Sequence, residues 1–139
     1  MTEAEIIAFG RNYAPDPAHF DKVAAADGPA AGLCANWVQV LATAFRLFIE
    51  AGGFADTGEA SPGMESARTL RPVRPGDTIR AIAEVVFMRP LRSRPQSGLM
   101  VNAFTIVNQH GETVAEMRLK SFMRRDPAAV AAETEEARA

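Results

Sequence analysis

Residues 33–50 read LCANWVQVLATAFRLFIE, a helix-length segment that is apolar almost all the way round. Its polar residues Asn36, Gln39, Thr43, Arg46 and Glu50 recur at steps of three, four, three and four, so on a helix they form one narrow stripe and the rest of the surface requires burial. Such a helix is either a membrane span or the centre of a protein. Arg46 and two side-chain amides interrupt a segment already short of the roughly 20 apolar residues a span requires, so a core helix is expected, with no membrane partner. Gly32 before it and Gly52-Gly53 after it mark its flexible ends.

The totals agree with a small globular chain. At 139 residues it is sized for one domain with a real core. A net charge of -2, from 15 basic and 17 acidic residues, argues against nucleic acid or an anionic membrane surface as partner. The single Cys34 lies in the core segment, and the opening MTEAEIIAFG lacks the basic start and continuous apolar run of a secretory signal. A soluble cytoplasmic protein without disulfides is expected. One cysteine cannot make a structural zinc site, and with only His19 and His110 beside it no metal is expected.

Thr2-Glu3-Ala4-Glu5 has the spacing of a capping box, so a helix is predicted from the outset, carrying Ile6, Ile7 and Phe9 inward. Pro15 and Pro17 break it. Asp16-Pro17 then reads as N-cap and first position of a second short helix running to about Asp27, with His19 in its first turn. After the central helix, residues 52–63 form a connection without sustained period. Strands follow: a weak one at 64–71, then 78–88, 99–107 and 113–123, in the last of which Ala115, Met117 and Leu119 alternate with Glu116, Arg118 and Lys120. Residues 89–98, RPLRSRPQSG, read as a basic loop that its prolines hold outside the sheet. Residues 125–139 read as a polar, mobile tail or frayed helix. Helices followed by antiparallel strands make an α+β protein, one sheet wrapped around one long apolar helix. The edges and open helix side left by such a wrap predict a homodimer or a higher oligomer of dimers.

The run Tyr13-Ala14-Pro15-Asp16-Pro17-Ala18-His19, the Gly32-Leu33 that opens the apolar helix, SPGMESARTLRPVRPGDTI, RPLRSRP, GLMVNAF and NQHGETV resemble the MaoC-like acyl dehydratases of the hot dog fold, over residues of about 4 to 124. The resemblance implies a single hot dog domain over residues 1–124. It implies an activity similar to that of (R)-specific enoyl-CoA hydratases, which add water reversibly to 2-enoyl thioesters. No cofactor is implied, CoA or an acyl carrier entering only as part of the substrate. Family members usually carry a further strand before the first helix, so the expectation here is either a sheet one strand short or a sequence whose start is internal.

In that family an aspartate and a histidine five residues later carry the chemistry. His19 takes the histidine position, whereas the aspartate position falls on Ala14, which cannot move a proton. Asp16 is the substitute candidate, and its alternative role is the N-cap before Pro17. Gly32 is a candidate oxyanion donor, Asn36 and Gln39 are candidates to line a thioester pocket, and Arg92 and Arg94 to meet CoA phosphates. Each has a plain structural alternative: close packing, a solvent-facing stripe, a solvated loop. His110 reads as a turn residue, Trp37 and Cys34 as core. Three functions stay open: a hydratase or dehydratase with His19 as general acid/base, a non-catalytic acyl-CoA or acyl-carrier binder or inactive partner subunit, and a hot dog thioesterase.

Overall fold

A computed structural model describes residues 1–138. The first helix, α1 (Glu3–Tyr13), opens on the predicted capping box: Thr2 Oγ1 accepts from the Glu5 amide at 3.2 Å and the Thr2 amide donates to Glu5 Oε2 at 2.6 Å. Those bonds from Thr2 hold the Glu5 carboxyl below its usual range. A 3-10 turn, Pro17–His19, follows, and then α2 (Lys22–Ala26). The single helix expected here is divided because Asp21 caps a second start, accepting from the Val23 and Ala24 amides.

The central helix, α3 (Trp37–Glu50), begins four residues later than the sequence suggested. Asn36 ends the extended segment before it and accepts from the Val38 amide at 2.9 Å, which is the geometry of an N-cap. Gly32 is therefore not at the helix start. Nor is the polar stripe a wet face along its whole length. Gln39 is buried under α1, donating to the Glu5 carbonyl at 3.0 Å, and Thr43 bonds back to the Gln39 carbonyl. Trp37, expected in the core, is half exposed.

Four antiparallel strands, β1 (Gly58–Thr69), β2 (Arg80–Leu91), β3 (Arg94–Val107) and β4 (Thr113–Arg124), form one sheet in the order β1-β4-β3-β2. β1 starts six residues before the predicted strand, because ladder pairing with β4 reaches Gly58 opposite Met123 through three irregularities. The expected basic loop is instead a tight hairpin: Leu91 faces Arg94, leaving Arg92-Ser93 as its turn, and Pro90 is tolerated because β2 is an edge strand. The alternation read in β4 holds, with Ala115, Met117 and Leu119 buried and Arg118 exposed. A last helix, α4 (Pro127–Glu136), occupies most of the expected tail, whose terminal Ala139 lies outside the described residues.

One face of the sheet, through Phe104, Ile106, Val114, Ala115 and Met117, packs with Val40, Leu41 and Ala44 of α3, and Ile6 of α1 joins the same core. Phe48 on α3 meets Phe104 edge-on at 5.1 Å. Two aspects of β2 stand apart: its outer edge carries no strand, and Ile82, Val85, Val86, Phe87 and Met88 are substantially exposed.

The loop before β2 is fastened by Asp77, whose carboxylate accepts from the Arg74 amide and from the Gln109 side chain, each at 2.8 Å. Burial alone would push this carboxyl up. The two hydrogen bonds, with the charges of His110 and the N-terminus, outweigh burial and hold it below its ordinary value. A carboxyl lowered in the folded state contributes stability that is complete above its unfolded value and vanishes as the pH falls through the folded one. Asp77→Asn is therefore expected to be less stable than the wild type near neutrality. In urea titrations over a pH series the gap should be constant above 3.8 and should shrink at lower pH.

Candidate functional site

The site is built on the turn that follows α1. Pro15 and Pro17 keep the chain out of α1, and Asp16 Oδ1 accepts from the Ala18 amide at 2.9 Å, closing the turn that presents His19. Gly10 allows this turn to lie directly on α1. A Cβ at that position would come within 2.5 Å of the His19 carbonyl oxygen, so no larger residue fits.

Across from the turn runs the extended segment that leads into α3. The Cys34 amide donates to the Ala18 carbonyl at 3.3 Å, and the Cys34 carbonyl lies 2.8 Å from His19 Nδ1. A carbonyl only accepts, so Nδ1 carries the proton and Nε2 presents a lone pair. The second ring contact agrees with this: Asn36 Nδ2 lies 3.2 Å from Nε2, and Asn36 Oδ1 is committed to the Val38 amide, which turns the NH2 group toward the ring. These two contacts assign the Nδ1–H tautomer, with Nε2 directed at the start of α3. Among the described residues neither ring nitrogen pairs with a carboxylate.

His19 borders a cleft of about 330 Å³ whose other walls include Cys34, Trp37, Thr69, Leu70, Arg71 and Val114. Trp37 also borders an apolar groove of about 440 Å³ between α3 and β1, walled by Val38, Leu41, Phe45, Met64 and Met117. The Cys34 thiol is buried, and desolvation raises its pKa, with the Asp16 charge adding to the effect and the Arg74 charge opposing it. It is a thiol at neutral pH, unsuited to act as a nucleophile. The Trp37 amide, in the first turn of α3, has no acceptor among the described residues and lies at the positive end of the helix dipole.

Of the residues singled out from sequence, the fold brings together His19 and Asn36, with Asp16 next to them as the cap of the same turn. It separates the others. The Gly32 amide is already given to the Ala25 carbonyl at 2.8 Å and is not a spare donor. Gln39 points to α1. Arg92 and Arg94 sit at the β2–β3 hairpin, twelve strand positions before Ile106, roughly 40 Å from the His19 end of the sheet at the usual strand rise. There Arg94 stacks over the Phe122 ring at 4.9 Å. Gly10 and Arg74 shape the site and were not singled out from the sequence. A glycine inside a helical pattern was the available signal for the first.

Residues 1–105 match the family described as MaoC like domain. The chain belongs to that family. The uncharacterized protein YdeM of Bacillus subtilis is 29% identical over 125 residues, 90% of this chain and 87% of that protein. The crystal structure of a MaoC-like dehydratase from Rhodospirillum rubrum has a TM-score of 0.84 at 30% identity, covering 91% of this chain and 86% of that one. A C-terminally truncated HadBC (3R-hydroxyacyl-ACP dehydratase) complex from Mycobacterium tuberculosis shares the fold, with a TM-score of 0.72 at 23% identity over 87% of this chain and 86% of that one. The architecture is the α+β hot dog, although α3 is short at 14 residues.

Asn36 makes the site testable without disturbing the fold. Asn36→Asp keeps the cap but offers Nε2 an acceptor where there was a donor. The His19 Nε2 resonance should then move toward that of a proton-bearing nitrogen in ring 15N spectra. Asn36→Ala loses the cap, and should cost about 1 kcal/mol of stability by chemical denaturation.

Proposed function

We propose that this MaoC-family protein is a hydro-lyase of acyl thioesters, interconverting 2-enoyl and 3-hydroxyacyl forms, with His19 as its general acid/base. The observation that carries this reading is the pinned ring: Nδ1 bonded to the Cys34 carbonyl leaves Nε2 as a base at the mouth of a cleft. In hydration, water displaces the long Asn36 contact at Nε2 and gives its proton to that nitrogen as its oxygen bonds to C3. The C2=C3 electron pair moves toward the thioester, and the enolate oxygen is met by the Trp37 amide at the start of α3. The imidazolium then returns a proton to C2. The sum is one water added. The reaction as written needs no metal or redox group, CoA or an acyl carrier being part of the substrate. The apolar groove that shares Trp37 with the cleft suits an acyl chain.

One observation favours a second reading. Ala14 stands where the family carries its aspartate, and Asp16 spends one carboxylate oxygen on the cap. The chain then binds acyl thioesters without turning them over, or serves as the inactive subunit beside a complete partner. We infer a homodimer of hot dog units, because a second chain would cover apolar surface that this one leaves open, and a cytoplasmic location, which the single unpaired Cys34 fits. A thioesterase is disfavoured: the only carboxylate of α3 is Glu50, at its far end.

Purified protein mixed with crotonyl-CoA, and with a longer 2-enoyl-CoA, is expected to bleach the absorbance of the conjugated thioester. His19→Ala should lower the rate by about 10²-fold or more while binding, by calorimetry, persists. Asp16→Asn keeps the cap and should keep the rate. Ala14→Asp should raise it. Binding without turnover in the wild type, with turnover appearing in Ala14→Asp, would replace the first reading by the second.

A further inference from the structure

Arg74 belongs to the loop between β1 and β2 and does not line the cleft that His19 borders. Its side chain reaches back to the segment that precedes α3. Nη1 donates to the carbonyls of Gly32 at 2.8 Å and Leu33 at 3.3 Å, and Nη2 donates to that of Ala30. No carboxylate pairs with it among the described residues, so its hydrogen-bonding capacity is directed at this one stretch of backbone. A guanidinium is a rigid planar fork, and matching it to three carbonyls fixes their relative orientation.

That stretch needs fixing. Ala31 has φ 51° and Gly32 φ 130°, and a residue with a Cβ stays in such a region only where its surroundings over-determine it. Arg74 grips the carbonyls on either side of Ala31. The next carbonyl along the chain after Leu33 is that of Cys34, the acceptor for His19 Nδ1. Immediately beyond it, the Ala35 amide donates to the carbonyl of Val73, the residue before Arg74, at 2.9 Å. The Arg74 amide is in turn held by Asp77 at 2.8 Å. Residues 73 and 74 thus clamp the backbone on both sides of Cys34.

We propose that Arg74 is a positioning residue for His19: by holding the 30–33 carbonyls it aims the Cys34 carbonyl at Nδ1, and so keeps the free lone pair on Nε2. A lysine would bring the charge but not the fork. The effect on rate rests on the reading of His19 as the base, whereas the effect on the ring stands by itself.

The test is the ring 15N spectrum of His19 in the wild type, Arg74→Ala, Arg74→Lys and, as a control, Val101→Ala, a buried β3 position away from the loop. The wild type should show the Nδ1–H tautomer. Arg74→Ala should show a mixture containing the Nε2–H form, Arg74→Lys an intermediate proportion, and Val101→Ala the wild-type spectrum despite its lower Tm. An unchanged tautomer in Arg74→Ala overturns the proposal, as does one unchanged in Arg74→Lys should the alanine variant not fold. A wild type already in the Nε2–H form, or an equal shift in Val101→Ala, overturns it too. Crotonyl-CoA hydration separates the two claims. Absent in every protein, it removes the hydratase reading and leaves the tautomer result in force; present, kcat should fall about tenfold in Arg74→Ala with KM little changed.

Discussion

The arrangement depends on keeping water from α3, a helix too apolar to stand alone. The sheet covers one side through Phe104 and Met117, and α1 covers another over Gln39, with Ile6 fully buried in the common core. Burial of this kind is the dominant favourable term in folding. It also dictates where the candidate site lies. Once α1 has to rest on α3, the turn that ends α1 falls against the segment that begins α3, and His19 comes to face Cys34 and Asn36. The site follows from the packing of two helices.

What surrounds the ring distinguishes this chain from the pattern it resembles. A carboxylate beside a histidine favours the charged imidazolium, whereas a backbone carbonyl and a side-chain NH2 favour the neutral ring with one defined tautomer. With Ala14 in the aspartate position, the balance rests with neutral partners, the Cys34 carbonyl and the Asn36 side chain. The orientation of the ring then depends on backbone geometry, on which so much of the local hydrogen bonding, from Ala18, Val73 and Arg74 to residues 30–35, converges.

Local signals in the sequence were good where the chemistry is local. The Thr2 capping box, the Asp16 cap and the β4 alternation depend on residues a few positions apart, and each is found. His19 was reachable through resemblance, since nothing in its spacing alone marks it as a base. Readings failed where a distant partner decides. Gln39 reads from its stripe as lining a pocket or facing water or a partner, whereas its cover comes from α1, 34 residues earlier, and β1 lost its first six residues to a loop assignment because its pairing is with β4. The prolines of the β2–β3 hairpin suggested a loop; Pro90 is acceptable because β2 is an edge strand, and Pro95 because it precedes the pairing of β3 with β4, which begins at Ser97. Arg74 was hidden for the same reason: its carbonyl partners lie more than 40 positions away.

Gly10 gives α1 a role beyond covering the core. With helix backbone and the His19 turn in direct contact at this point, the two cannot separate or slide independently. Proteins open in cooperative blocks, and terminal elements are commonly the first to detach. Here detachment of the amino-terminal helix would dismantle the His19 turn with it, so the ordered arrangement of that turn lasts only until the chain's first eleven-residue helix opens. The order of the His19 ring is consequently tied to the anchoring of this helix, through the buried Ile6 and the Met1 ammonium on the Asp77 carbonyl.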